Sequence, residues 1–219
     1  MVLHSAAAAP AQALACAFLG RSRATLASPL SHRLREGTAA AHARAEMGMW
    51  PESATSDPAT YARWLSRHLG LIAPFEVVIE THAAFLAALG ADPLPRARRG
   101  LLRRDLAMLG MPEECPAPAP PLTGAEALGA LYVLEGSRLG GRVLLRRVED
   151  KMPGLAATAF LAGADAVPGA WRALRGALDG FGEHAGPEAV AAVLRGADAT
   201  FQAFEAWFAP LAQPAGAPG

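Results

Sequence analysis

Cysteine is almost missing from this chain. Cys16 and Cys115 stand about a hundred residues apart with no Cys-x-x-Cys anywhere, which excludes a disulfide framework or a cysteine-built zinc site and fits a reducing cytoplasm. Aromatic residues make up 6% of a sequence that is 52% hydrophobic. Alanine supplies much of the apolar share, and with no period-two run of β-formers the composition favours helices and excludes an all-β sandwich. Neither sign of charge predominates, at 20 Lys+Arg against 20 Asp+Glu, so the totals describe neither a nucleic-acid-binding field nor an acidic tail. No stretch reaches the ~18–20 unbroken apolar residues of a membrane span. The nearest, Ala6 to Gly20, contains Pro10 and Gln12 and follows Met1-Val2-Leu3-His4-Ser5, without the positive charge that opens a secretory signal. It reads as a disordered extension or as the product of a start codon placed too early.

Motifs of whole enzyme classes are missing too. The Glu-x-x-His pairs of di-iron bundles, His-Glu-x-x-His, Cys/His zinc spacings, the P-loop, Gly-x-Gly-x-x-Gly and the Gly-x-Ser-x-Gly elbow do not occur, which removes most hydrolases, kinases and dinucleotide-binding enzymes.

What is there is helical. With 219 residues, one sizeable domain at 31–209 is expected between low-complexity Ala/Pro/Gly segments at 1–30 and 210–219. From Ser31 one face recurs through Leu34, Thr38, Ala41/His42 and Ala45 to Met49, and Trp50-Pro51 ends it. Asp57-Pro58 opens a long helix that bends near Gly70 and Pro74 and continues to Leu89-Gly90. Pro93 to Leu109 is a helix closed by Gly110, and Thr123-Gly-Ala-Glu126 is a capping box opening one that runs to about Asp150. Pro168 to Phe181 and Pro187 to Phe208 complete an all-α bundle.

Two segments break local rules. Gly136, Gly140 and Gly141 interrupt a helical pattern, at about 0.8–1 kcal/mol each relative to alanine. Gly136 and Gly140, four apart, bare a strip of backbone against which a flat ligand could lie; a tight helix crossing or a kink would use the same glycines. In the first helix His42 stands among alanines that leave room for a large planar group. Glu46, one turn on, is placed to take the Nδ1 proton and leave Nε2 for a metal, and Arg35 lies two turns back, suited to a ligand carboxylate. A histidine on a helix is otherwise an ordinary surface or core residue. The cluster Arg96, Arg98, Arg99, Arg103 and Arg104 is either a solvated face or a dock for an acidic partner.

Taken together, Arg35, Thr38, His42 and Glu46 with Gly136-Ser137-Arg138-Leu139-Gly140-Gly141 resemble the proximal and distal helix motifs of the heme oxygenase family, in particular its bacterial biliverdin-producing members, some of them paired with phytochromes. The resemblance extends in outline from Leu34 to Phe208. It implies a single-domain helical bundle holding heme between a proximal and a kinked distal helix, with heme both substrate and cofactor and His42 as the axial ligand of its iron. Gly136, Ser137, Gly140 and Gly141 would then form the oxygen side, Thr38 and Glu46 the proximal surroundings, and Phe201 a wall of the pocket, while Arg172 and Arg175 would meet the propionates or else form a solvated face. The products implied are biliverdin, carbon monoxide and ferrous iron, with electrons from a ferredoxin, flavodoxin or flavoprotein reductase and a phytochrome as a receiver of biliverdin. Neither nucleic acid nor membrane is an implied partner. Better-known members carry an aspartate where this chain has Ser137. Besides the enzyme, the same residues admit a heme-binding or storage protein, and the glycines alone admit a helical scaffold.

Overall fold

The computed structural model describes residues 28–49, 52–55, 57–113, 115–163 and 169–212. The expected N-terminal extension and C-terminal tail fall almost wholly outside these, as do Trp50-Pro51 and Pro168. Ten α-helices, α1 to α10, are present among the described residues, and no strand.

The first helical run is divided. It forms α1 (Leu30–Gly37) and α2 (Ala39–Met49), because Thr38 aims both its N–H (2.9 Å) and its hydroxyl (2.7 Å) at the Leu34 carbonyl, just after Gly37 has loosened the chain. Helix α3 (Pro58–Glu80) opens as its sequence demands: the Asp57 carboxylate accepts the Thr60 N–H at 2.9 Å, with Pro58 in the first position. It runs on through Pro74, which has no N–H to offer the Gly70 carbonyl, and the Ala117 N–H from the proline-rich loop fills that place at 2.8 Å. Instead of continuing to Gly90, α3 stops at Thr81 and a short α4 (Ala83–Ala88) follows.

Helix α5 (Arg99–Met108) begins later than its sequence suggests, after a 3-10 turn at Leu94–Arg96. Its start is set from outside: the Glu76 carboxylate of α3 accepts the Arg98 and Arg99 N–H groups at 2.6 and 3.0 Å, serving donors that the helix itself leaves orphaned. Gly110, at φ +64°, closes the helix.

The Thr123/Glu126 capping box opens α6 (Gly124–Ser137), which ends where the glycine-rich segment begins; α7 (Gly141–Lys151) resumes after it. A short α8 (Ala159–Ala162), not anticipated from the sequence, has its first N–H groups held at 2.9 and 2.8 Å by the Asp105 carboxylate. Helices α9 (Ala170–His184) and α10 (Pro187–Ala212) complete the bundle.

Helix α10 is the spine, packed along α6 and α2. Its approach to α6 is backbone on backbone, since a Cβ on Gly129 would lie 2.0 Å from the Val193 carbonyl oxygen and one on Gly196 only 2.1 Å from that of Glu126. Around it Leu34, Leu65, Phe75, Leu128, Leu174 and Phe208 are fully or almost fully buried in one continuous core. The result leaves α2 facing the α6–α7 break across a gap that α10 floors. No helix among the described residues is long and apolar enough to cross a membrane.

Candidate functional site

That gap is a cleft of about 430 Å³. From α1 and α2 come Arg35, Thr38, Ala39, His42 and Glu46; from α6 and the break come Tyr132, Val133, Gly136, Ser137, Leu139 and Gly140; Trp171 of α9 and Phe201 and Phe204 of α10 close it. Helical spacing accounts for each series: Arg35 in the last turn of α1 and Thr38 at the junction precede Ala39, His42 and Glu46 of α2 at intervals of three and four, and one face of α6 carries 132, 133 and 136.

The His42 ring meets Phe201 edge-on, centroids 5.7 Å apart and planes at 78°. Glu46 stands one turn on, its Oε2 3.7 Å from His42 Nδ1, an electrostatic approach longer than the hydrogen bond expected from the spacing. Thr38 is buried with its hydroxyl committed to the Leu34 carbonyl, so it presents a methyl-bearing wall rather than a donor.

On the opposite side the glycine strip opens onto the cleft. A Cβ on Gly136 would meet only the Trp171 ring, at 3.7 Å, so this glycine does not serve a helix crossing; Gly129 and Gly196 do that. The Ser137 hydroxyl donates to the Leu134 carbonyl at 2.8 Å and accepts from Arg98 Nη2 at 2.9 Å. Gly141, expected beside it, is not part of the cleft lining: it is buried at the start of α7, its N–H on the Arg138 carbonyl at 2.9 Å.

Arg172 and Arg175 are exposed on α9 and outside the lining, where Trp171 stands instead, its ring 5.2 Å from Tyr132. Arg175 still acts at the edge. Burial raises the Tyr132 phenol above its ordinary pKa, and the charges of Arg35 and Arg175 oppose that rise. Arg35 in the lining and Arg175 outside it therefore both set positive charge toward Tyr132 at the edge of the cleft.

The arginine cluster is divided, with Arg103 and Arg104 on an exposed face and the others turned inward or paired. Arg96 and Arg98 are buried, Arg99 is paired bidentately with Glu80 at 2.6 and 2.8 Å, and Arg103 meets Glu113 at 2.8 Å. Arg96 and Arg138 flank Glu135, at 3.3 and 3.1 Å, in a buried network behind the helix break.

Sequence reasoning missed Tyr132, Trp171, Leu139 and Phe204. Tyr132 was accessible, four residues before Gly136 as Gly136 is four before Gly140, and so was Phe204, three after Phe201. Nothing local marks Trp171. Among the described residues His42 is the one histidine of the lining: His68 is sealed among Trp64, Phe160 and Phe208, and His82 Nε2 bonds the Leu122 carbonyl at 2.7 Å. Among the described residues no group of three or more His, Cys, Asp or Glu is placed to hold a metal ion. A metal in this cleft would rest on one imidazole and a ligand of its own.

No family model matches the chain. A curated relative described as heme oxygenase, from Xanthomonas campestris pv. campestris (strain 8004), is 38% identical over 159 residues, spanning 72% of this chain and 94% of the relative. Among solved structures, the NO- and CO-bound heme oxygenase from Neisseria meningitidis is similar at a TM-score of 0.68 and 24% identity, over 85% of this chain and 93% of that one. Heme oxygenase from Leptospira interrogans is similar at 0.67 and 19% identity, over 84% and 100% of the respective chains.

Proposed function

The chain belongs to the heme oxygenase family, and on that premise we propose that the cleft between α2 and the α6–α7 break is where it binds heme and cleaves it oxidatively. One observation carries the reading: eight residues singled out from three separate stretches of sequence, namely Arg35, Thr38, His42, Glu46, Gly136, Ser137, Gly140 and Phe201, line a single cleft.

The residues fit the group. At about 430 Å³ the cleft is of ligand-binding size. It has apolar walls, a lone imidazole on one side, bare backbone on the other and positive charge at its edge for the carboxylates. Bound heme supplies the iron at which O₂ is activated and the ring that is opened, giving biliverdin, carbon monoxide and ferrous iron.

The chain's own part is placement. His42 would hold the heme iron through the imidazole nitrogen that does not face Glu46, and Phe201 limits the tilt of that imidazole by its edge contact. Gly136 and Gly140 put bare backbone on the cleft, so a flat ring would fit where side chains would otherwise stand. Arg35 in the lining, with Arg175 adding positive charge beyond it, would hold the carboxylates of the heme and so would set its orientation. Trp171 and Tyr132, their rings 5.2 Å apart in the lining, would shield a bound ring from water. Electrons come from an external protein donor, a ferredoxin, a flavodoxin or a flavoprotein reductase.

The test is to load the protein with hemin and supply oxygen with ascorbate or a ferredoxin system, catalase being present to remove free peroxide. Loss of the Soret band with growth of a biliverdin band and release of carbon monoxide is the expected result. A heme spectrum that persists through these conditions overturns the enzyme in favour of a heme carrier.

A further inference from the structure

The last turn of α6 has an unusual occupant. Arg98, 39 residues upstream of Ser137 and just before α5, reaches the helix break from behind, and its guanidinium lies buried with Phe160 stacked 5.2 Å away. Arg98 Nη2 carries two protons, one given to the Leu134 carbonyl at 2.9 Å and the other to Ser137 Oγ at 2.9 Å. At the same turn the Arg138 N–H goes to the Glu135 carbonyl at 3.2 Å, as the helix tightens before it breaks.

The consequence is a redundancy. The Leu134 carbonyl receives both Arg98 Nη2 and the Ser137 hydroxyl, so withdrawal of the hydroxyl leaves the carbonyl satisfied by the guanidinium. Ser137 has one proton and two lone pairs, and Arg98 occupies one of those lone pairs from the side away from the cleft. The proton is free to swing between Leu134 and the cleft while the oxygen stays anchored. Burial, and then the Arg138 charge, push the Arg98 guanidinium down to about 10, against the pull of Glu76 and Glu135, which leaves it charged at neutral pH.

We propose that Arg98 is a positioning residue for this site: it holds Ser137 Oγ as an acceptor so that the Ser137 proton is donated into the cleft, toward a small anionic ligand on the distal side of the heme. The proposal rests on the heme reading above and adds an electrical sign to it. Where better-known members of the family place a carboxylate, this cleft presents a hydroxyl backed by a buried cation, and it favours negative charge.

The ferric heme-loaded protein is titrated with fluoride, with azide and with neutral imidazole, in the wild type, Ser137→Ala, Arg98→Met, Arg98→Lys and the Ser137→Ala/Arg98→Met double variant. Loss of one hydrogen bond to a charged ligand is about tenfold in affinity. Ser137→Ala and Arg98→Met are each expected to weaken both anions by about that factor and to leave imidazole affinity unchanged. The double variant is expected to lose no more than either single one, because Arg98 acts through Ser137. Arg98→Lys keeps the charge without the two-proton fork, and falls between wild type and Arg98→Met.

The proposal is overturned if Arg98→Met binds both anions as the wild type does, if it weakens imidazole as much as the anions, or if the two losses add. Should Arg98→Met fail to fold, Arg98→Lys carries the same arm, and wild-type anion affinity there is equally fatal. A wild type that takes up no heme fails the family-based reading and this inference with it. A normal imidazole titration with anion affinities blind to Ser137 and Arg98 fails this inference alone.

Discussion

The His42 imidazole and the Phe201 ring meet edge-on with centroids 5.7 Å apart, which ties the proximal helix to the last helix at the point where the iron ligand is proposed. Phe201 is 5% exposed, so it is both a core residue and a wall of the cleft. His42→Ala is expected to fold normally, since its side chain is 52% exposed, and to lose the axial ligand, with added imidazole restoring the ligated spectrum. Phe201→Ala is expected to cost about 3–5 kcal/mol of stability and to leave a heme spectrum with mixed ligation. Urea unfolding and absorption spectroscopy check the pair. A ligated spectrum unchanged in His42→Ala would remove the histidine from its role.

Glycines of the same helix should behave in opposite ways. A methyl on Gly129 would lie 2.0 Å from the Val193 carbonyl oxygen, whereas one on Gly136 meets only the Trp171 ring at 3.7 Å. Gly129→Ala must therefore push α6 off α10, with an expected loss above ~3 kcal/mol, in the range of severe overpacking. Gly136→Ala should instead gain about 0.5–1 kcal/mol from helix propensity while weakening heme uptake. Thermal melts with and without hemin separate the two; equal melting of both variants would contradict this division of the glycines.

The part of this site written in the sequence was the part that depends on helix periodicity. Arg35, Thr38, His42 and Glu46 share a face because of their spacing, and the unexplained cost of Gly136 and Gly140 marked the opposite wall. Boundaries set by distant groups could not be read. Glu76 starts α5 and Asp105 starts α8, each from another helix, and no local pattern announces a carboxylate arriving from elsewhere. Arg96 and Arg98 misled for the same reason: five arginines within nine positions suggest a surface, and only the fold shows which of them point into the Glu135 and Ser137 network. Trp171 reaches the cleft through tertiary packing alone.

Burial gives His68 a pH signature. Its Nδ1–H donates to the Trp64 carbonyl at 2.9 Å, and desolvation, aided by the Arg98 charge, lowers its pKa to about 3. In the unfolded chain the imidazole takes a proton near pH 6.5, so between about 6.5 and 3 the unfolded state binds more protons than the folded one. Stability linked to this group is complete above pH 6.5 and is lost as the pH falls, with a limiting slope of ~1.4 kcal/mol per pH unit. Glu76 and Asp105, raised by burial, titrate in the opposite sense, and they cancel when the wild type is compared with His68→Leu. Urea unfolding at pH 7.5 and 5.5 should show the wild type losing about 1.4 kcal/mol more than the variant. Equal losses would mean that His68 is reached by water.

The positive charge at the edge of the cleft supplies the last test, because it separates arginines that the sequence could not. Arg35 lines the cleft, whereas Arg172 and Arg175 are both exposed on α9 outside the lining and differ in that the Arg175 charge, not that of Arg172, bears on the Tyr132 phenol. If this charge holds the heme carboxylates, Arg35→Ala and Arg175→Ala should each weaken hemin binding by about three- to tenfold, the range between an exposed ion pair and a charge-assisted hydrogen bond. Arg172→Ala should change it by less than about twofold. Esterified heme, which has no carboxylates, should bind all three variants and the wild type alike, and added salt should narrow the differences for the free acid. Fluorescence quenching of the cleft tryptophan, Trp171, reads each affinity directly. Losses that persist with the dimethyl ester would show that the arginines shape the cleft instead of pairing with its ligand.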